Sequence, residues 1–320
     1  MKNSPLLTVL QDGRFHSGEK LATHLGVTRA AIWKHIQQLQ LAGLPIESQQ
    51  GKGYCLRGGI EFLDEFLIRA ELSLVSQAKL TQLKLLDSIG STNDYLLEQI
   101  RQNPLLPIAA LAEQQTQGRG RRGRSWVSPY GNNIYFSLAW HFDKDPAELL
   151  GLSLVCGVII LNTLKRYGLK DAFYLKWPND VLWQGRKLAG ILVEVIAQSN
   201  ESCQVVLGMG INTQLASSAP IDQPWVSLQE IANTKIERNR LAGILLDETL
   251  STLQDFEEKG LKPFVKAWQE HDYCKNRPVA LKQPQQTIQG IGQGISDRGE
   301  LLLLDEFGVV RKFLNGEVQP

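Results

Sequence analysis

Residues 118 to 126 read GRGRRGRSW, which places four arginines and three glycines in seven consecutive positions before an aromatic of the kind that proteins bury. Like charges at this spacing repel one another, and the glycines are costly to order, so the stretch opposes its own folding. An anion is expected to complete it. The chain as a whole carries 34 Lys plus Arg against 33 Asp plus Glu, a formal net charge of +1. A protein that coats a phosphate backbone usually shows a broad basic excess, so a local cluster in a balanced chain points to a small, compact anion.

Three further segments carry groups suited to the same site. GSTND (90 to 94) follows the strand-like LKLLDS and opens a helical pattern, so Ser91, Thr92 and Asn93 would bring hydroxyl, amide and free backbone N–H groups to a helix amino terminus. Gln115 stands just ahead of the arginine loop. KWPND and GRKLAG supply Lys176, Asn179, Asp180 and Lys187 at strand ends and turns, where functional groups are commonly held. Singly, each has a plainer reading as a helix cap or a solvated turn lysine. Familiar alternatives fail: GRFHSGEK, from Gly13, lacks the Lys-Ser/Thr ending of a phosphate loop, GIGQG (290 to 294) lacks the strand-glycine-helix context of a dinucleotide site, and neither an H-E-x-x-H pair nor a G-x-S-x-G elbow occurs. Cys55, Cys156, Cys203 and Cys274 form no C-x-x-C pair, so neither a disulfide framework nor a zinc site is indicated, and a reducing cytoplasm is expected.

The elements that must position these groups are written in three styles, predicting an α+β, multidomain chain divided at 1–60, 65–270 and 272–320. In the first, a helix from Ser17, a break at Gly26, a second helix capped by Thr28 and a turn at Gly51-Lys52-Gly53 between short strands predict a winged helix-turn-helix. Ile32, Ile36 and Leu39 would face inward, leaving Thr28, Arg29, Ala30, Lys34, Gln37 and the wing's Lys52 as candidate DNA contacts. An ordinary helical hairpin with a solvated face is the other reading. The central region mixes helices with alternating strands such as NIYFSLAW, and KWPNDVLW and WQGRKLAGILVEV predict antiparallel hairpins. The run Leu149 to Leu164 is free of charge but interrupted by Asn162 and Thr163, which suits a buried core helix better than a membrane span. GILVEVIAQ (190 to 198) reads as a strand followed by a polar turn, able at a sheet edge to pair with another strand. The last region predicts a small β-barrel of SH3 size, and the two glycines of LRGGIE predict a linker that lets the first region reorient.

GSTN, GRGRRGRSW, KWPND and GRKLAGILVE, in this order and after a helix-turn-helix, resemble the motifs of the bifunctional biotin protein ligases that also repress the biotin operon. The resemblance covers nearly the whole chain. It implies a central domain akin to class II aminoacyl-tRNA synthetases and an SH3-like carboxy-terminal domain. The implied chemistry joins biotin and Mg-ATP into biotinyl-5′-AMP and then acylates a lysine of a biotin carboxyl carrier protein; operator DNA would be bound by a homodimer that biotinyl-AMP promotes. On this resemblance Ser91, Thr92, Asn93 and Gln115 hydrogen-bond the ureido ring, and Arg119, Gly120 and Arg121 cover biotin and phosphate with Arg124 nearby. Lys187 meets the biotin carboxylate, making it and Arg121 the catalytic candidates, while Lys176, Asn179, Asp180, Asn212 and Trp225 surround the nucleotide, with Asp180 the candidate for Mg. Rigid, permanently charged arginine forks suit a transition state that spreads negative charge over phosphoryl oxygens. Trp33, on the flank of the recognition helix, departs from the family and leaves the operator sequence open. A lipoate protein ligase and a non-enzymatic, ligand-sensing repressor are the two rival readings.

Overall fold

The structure, a computed structural model, describes residues 4–41, 43–102, 105–197, 202–215, 219 and 221–319. Helix α1 (Pro5–Leu10) precedes α2 (Gly18–Leu25), which starts where the Ser17 hydroxyl accepts the Lys20 N–H and stops at Gly26, whose φ of 64° is left-handed. In α3 (Arg29–Leu41) the Thr28 hydroxyl caps the first turn by accepting from Ala31 N at 3.1 Å. Ile32, Ile36 and Leu39 join Leu6, Leu7, Leu10 and Leu21 in one apolar cluster, while Thr28, Arg29, Ala30, Lys34 and Gln37 lie on the exposed face, as the spacing predicts. Strands β1 (Ile46–Gln49) and β2 (Gly53–Leu56) form the antiparallel wing, with Lys52 exposed at its tip. Tyr54 exchanges two backbone hydrogen bonds of 2.8 Å with His16, which ties the wing to the start of α2. Gly53 is required there: its φ is 102°, and a Cβ would lie 2.0 Å from the His16 carbonyl oxygen.

The connection to the central region is packed, contrary to the flexible linker that its two glycines suggested. Ile60 is buried with the amino-terminal cluster beside Tyr130, its N–H donates to Gln11 O, and Glu61 receives hydrogen bonds from Arg238 N and Asn239 Nδ2. After α4 (Glu65–Ala70) and α5 (Leu74–Lys79) come β3 (Gln82–Leu86), α6 (Thr92–Arg101), β4 (Ile108–Ala112), β5 (Ile134–Phe142), α7 (Leu152–Tyr167), β6 (Phe173–Lys176), β7 (Asp180–Trp183), β8 (Arg186–Ala197) and β9 (Cys203–Ile211). The strands form one sheet in the order β3-β4-β5-β9-β8-β7-β6. β3 and β4 run parallel around α6, and the remaining neighbours, including the two hairpins read from the sequence, run antiparallel.

Helices α8 (Leu228–Ala232), α9 (Arg238–Lys259) and α10 (Lys262–Glu270) follow. α6 covers one face of the sheet; α7 and α9 cover the other, so β5 is buried on both sides. The apolar run over α7 has the length and hydropathy of a membrane span, yet its helix packs against α9, α10 and β8 as a core helix. β8 is covered unequally. β7 pairs with Arg186 to Gly190, whereas the rest of β8, as far as Ala197, pairs with β9 alone among the described strands. The polar turn expected from Gln198 lies outside the described residues.

Strands β10 (Pro278–Lys282), β11 (Thr287–Ile295), β12 (Leu301–Leu304), β13 (Val310–Phe313) and β14 (Glu317–Gln319) form an antiparallel sheet in the order β13-β12-β11-β10-β14. Among the described residues the outer strands β13 and β14 are not paired with each other, so of the small SH3-size barrel expected from the sequence the structure shows a β-rich sheet without hydrogen-bonded closure. Val279, Leu281, Ile295, Leu301, Leu303 and Val318 belong to the same apolar cluster as Trp177 of the central region.

Candidate functional site

The four sequence segments converge on one cleft above β5, β8 and β9. Ser91, the amino-terminal cap of α6, is buried, and its Oγ accepts from Asp94 N. A hydroxyl used as an acceptor still holds a proton to donate. Gln115 Oε1 accepts from both Thr92 N (2.9 Å) and Thr92 Oγ1 (3.0 Å), and Gln115 Nε2 donates to Ser128 Oγ. Ser137, on β5, lies within hydrogen-bonding reach of Thr92 Oγ1 (2.7 Å) and Asn93 Oδ1 (2.6 Å). Asn93 turns its amide nitrogen to Glu194 (2.7 Å) and Leu192 O, so its side chain is held by the protein on both sides. Thr92, Asn93, Gln115, Ser128 and Ser137 therefore form one preorganised polar network at the base of the cleft.

The arginine loop closes over this base. Arg119 stands at the rim of the cleft, and its guanidinium binds Asp94 on α6 and Glu194 on β8. Burial opposes its charge, but the hydrogen bonds it donates to those two carboxylates outweigh this and hold its pKa above the usual arginine value. Arg121 turns inward, with Nη1 3.4 Å from Asn179 Oδ1; desolvation and the neighbouring Arg122 push its pKa down, as expected of a guanidinium short of anionic partners. Arg124 pairs with Glu317 on β14, and that hydrogen bond holds the Glu317 carboxyl below the usual range.

Between base and loop stands a charge cluster. Lys187 Nζ is 2.8 Å from Asp180 Oδ1, in charge contact though off hydrogen-bonding alignment, and Lys176 Nζ is 3.4 Å from Asp180 Oδ2. All three side chains are mostly buried, at 15%, 11% and 18% exposure for Lys187, Asp180 and Lys176. The Lys187 ammonium lies 5.5 Å from the centroid of the Trp126 ring. That ring rests on the sheet because two glycines leave room for it. A Cβ at Gly210 would come within 2.5 Å of Trp126, and one at Gly190 within 3.0 Å. The Trp126 indole N–H is buried without a hydrogen-bond partner, against the sheet at Gly210.

Two adjoining cavities meet at this cluster. The first is lined by Ser91, Thr92, Asn93, Gln115, Arg121 and Asn179; the second by Asn212, Trp225 and Tyr273; Arg124, Trp126, Lys176, Asp180, Lys187 and Glu317 border both. Every site residue named from the sequence for the central region thus lies at one cavity or the other. Asn212 is mainly a brace, its amide donating to Val226 O (3.2 Å) and Lys187 O (3.4 Å). Sequence reasoning missed Ser137, Glu194 and Glu317, which reach the site from distant strands with no local motif, and it noted Trp126 only as a buried-type aromatic. The candidate DNA face is separate, with Lys34 and Gln37 exposed on α3, Lys52 5.7 Å from the Phe15 ring centroid, and Trp33 58% exposed.

Comparison with known proteins agrees with this division. Residues 85–212 match the profile of the Biotin/lipoate A/B protein ligase family, residues 4–55 an HTH domain, and residues 276–319 the Biotin protein ligase C terminal domain. The bifunctional ligase/repressor BirA of Escherichia coli is 41% identical over 98% of this chain and 95% of its own length. The biotin--[acetyl-CoA-carboxylase] ligase of Mycobacterium tuberculosis is 32% identical over 75% of this chain and 90% of its own. Among solved structures, the biotin protein ligase from Aquifex aeolicus in complex with biotin and ATP superposes with a TM-score of 0.65 at 30% identity, covering 75% of this chain and 98% of that one. Likeness of this order along almost the entire length leaves one assignment: the chain belongs to the biotin protein ligase family, in its bifunctional ligase/repressor branch.

Proposed function

We propose that this protein activates biotin with Mg-ATP to biotinyl-5′-AMP, transfers the biotinyl group to one lysine of a biotin carboxyl carrier protein, and represses biotin synthesis genes as an operator-bound dimer promoted by biotinyl-AMP. The observation that carries the ligase reading is the Lys187–Asp180–Lys176 cluster at the junction of the two cavities, with Arg121 above it. Three cations around one carboxylate leave net positive charge where a substrate carboxylate must approach a phosphate. Asp180 holds Lys187 in place, so little reorganisation is needed when negative charge develops there. The nucleophile is the biotin carboxylate oxygen; it forms the bond to the α-phosphorus as the bond to pyrophosphate breaks. Arg121 and Lys187 would stabilise the charge spread over the phosphoryl oxygens, and loop closure would keep water from the mixed anhydride.

The polar base of Ser91, Thr92, Gln115 and their partners suits a ureido ring, which offers N–H donors and a carbonyl acceptor; a dithiolane ring offers neither. In the second cavity Lys176, Arg124 and Trp225 would face the nucleotide, with Asn179 reaching it from the first. Asp180 would hold Mg2+, which would offset the charge of the phosphate oxygens. Among the described residues no three His, Cys, Asp or Glu side chains cluster as metal ligands, so the donor set fits an ion that arrives on the triphosphate. By the same resemblance the central region would be akin to class II aminoacyl-tRNA synthetases, the carboxy-terminal sheet to an SH3-like domain, and the divisions would fall near 1–60, 65–270 and 272–320. Thr28, Arg29, Ala30, Lys34, Gln37 and Lys52 would contact the operator.

The test is pyrophosphate release from the full chain with Mg-ATP and either biotin or lipoate. A burst with biotin and none with lipoate is expected. A burst with lipoate alone would move the protein to the lipoate branch, and none with either would leave a sensor without ligase activity.

A further inference from the structure

Arg119 bears on what happens after activation. Its Nε donates to Asp94 Oδ2 at 3.2 Å and its Nη2 to Asp94 Oδ1 and to both Glu194 oxygens at 3.1 and 3.2 Å, so one guanidinium joins the arginine loop to the first turn of α6 and to β8. The clasp is partly shielded, with side-chain exposures of 37% for Arg119, 50% for Asp94 and 25% for Glu194. Neither carboxylate lines the cleft. Glu194 also receives the 2.7 Å hydrogen bond from Asn93, so the outer clasp and the cleft base share a residue. The loop arginines cannot close the loop by mutual attraction; Glu317 holds Arg124 at the rim, and Asp94 and Glu194, outside the cleft, hold Arg119.

We propose that Asp94 and Glu194 are positioning residues that latch the arginine loop shut through Arg119 and thereby set how long the acyl-adenylate is retained. This deepens the ligase reading and rests on it for the identity of what is retained. An open loop loses the intermediate in two ways. The adenylate dissociates intact, or water adds to the acyl carbon and the bond to the phosphate oxygen breaks, returning biotin and AMP. Formation of the adenylate needs Lys187 and Arg121 but not the latch, so retention and formation are separable.

The test compares full-length wild type with Asp94→Asn, Glu194→Gln and the double variant, which keep polar groups of the same size at both positions. Without ligand, the rate of the first tryptic cut after Arg119, Arg121, Arg122 or Arg124 is read by mass spectrometry. With biotin and Mg-ATP, the pyrophosphate burst and the biotinylation of a bystander protein's lysines are followed. Partly shielded pairs of this kind support an expectation that the double variant is cut and leaks adenylate about fivefold faster; the burst is read on Asp94→Asn, which removes a carboxylate that binds Arg119 and not the cleft base, and stays within about twofold of wild type. Asp94→Glu restores slow cutting, and about 0.5 M salt brings wild type toward the double variant while changing the latter little. Unchanged cutting in the double variant overturns the latch whatever the enzyme does; faster cutting with unchanged bystander labelling overturns its role in retention. Faster cutting in a protein whose wild type gives no burst keeps the latch on the loop but removes the ligase reading and the retention role with it.

Discussion

Lys187 is held in position, pinned to Asp180 and lying over Trp126, where the proposed reaction would bring the biotin carboxylate. Removing it leaves Asp180 and Lys176 as a nearly neutral pair, and removing Arg121 opens the roof of the same site. Lys187→Ala and Arg121→Gly are each expected to slow adenylate formation by about 10²- to 10³-fold, the usual effect of losing one preorganised donor. Single-turnover pyrophosphate release measures this, and rates within about threefold of wild type would take both residues out of the mechanism. The residues legible in the sequence are those whose chemistry is concentrated in short motifs at turns: Ser91 to Asn93, Gln115, Lys176 to Asp180, and Lys187. What the residues could not reveal is direction. Nothing in GRGRRGR distinguishes Arg119, whose guanidinium is taken up by Asp94 and Glu194, from Arg121, which reaches Asn179, because that choice is made by carboxylates on α6 and β8. Glu317, 193 residues from Arg124, is invisible for the same reason.

At the scale of elements, periodicity identified the recognition helix, the buried helix α7 and the hairpins of the central sheet, since each depends on local pattern. Closure of the carboxy-terminal strands and packing of the linker depend on partners far along the chain, and both expectations changed. The join between the two sheets also holds a buried acid. Asp272 lies beside Leu175 of β6, accepts the Cys274 N–H at 2.8 Å through Oδ1, and leaves Oδ2 buried without a partner. Burial raises its pKa from 3.8 to about 6, and the Cys274 hydrogen bond, Lys275 and Arg277 only partly oppose this. Between those two values the folded chain binds a proton that the unfolded chain does not. Stability from this group is therefore highest below 3.8, falls as pH rises through about 6, and remains reduced at neutral pH. The cost is at most about 3 kcal/mol for a gap of some two units. Asp272→Asn is expected to raise Tm at pH 8 and to flatten its slope between pH 4 and 6. Thermal denaturation across that range checks both, and an unaltered slope would mean that Asp272 ionises normally in the fold.

At the scale of the whole molecule, two surfaces remain open to partners: the exposed face of α3, with its wing, and the half of β8 that β7 leaves uncovered. Removing residues 1–60 is expected to abolish operator binding in gel-shift titrations while leaving adenylate formation measurable, because Leu6, Leu21, Ile32 and Ile36 form a cluster apart from the one beneath the cleft. Retention of full operator affinity by the folded fragment would exclude the winged helix as the reader. The uncovered half of β8 offers backbone groups and the exposed Val195 to a second strand, from another copy or from a carrier protein. Glu194, on the same stretch, is engaged by Arg119 when the arginine loop is closed. A ligand that keeps the loop closed therefore also keeps that carboxylate paired at the edge where a second subunit would approach, and the second subunit has less loop entropy to overcome. Biotinyl-AMP is accordingly expected to strengthen dimerisation by at least about 1 kcal/mol, the low end of allosteric couplings, and biotin alone by less. Sedimentation of the free, biotin-bound and biotinyl-AMP-bound protein measures the effect. Because one edge cannot hold two strands, unbiotinylated carrier should then reduce operator binding in proportion to the dimer it displaces. Equal dimer affinity in all three states would refute the ligand-controlled switch while leaving the ligase chemistry untouched.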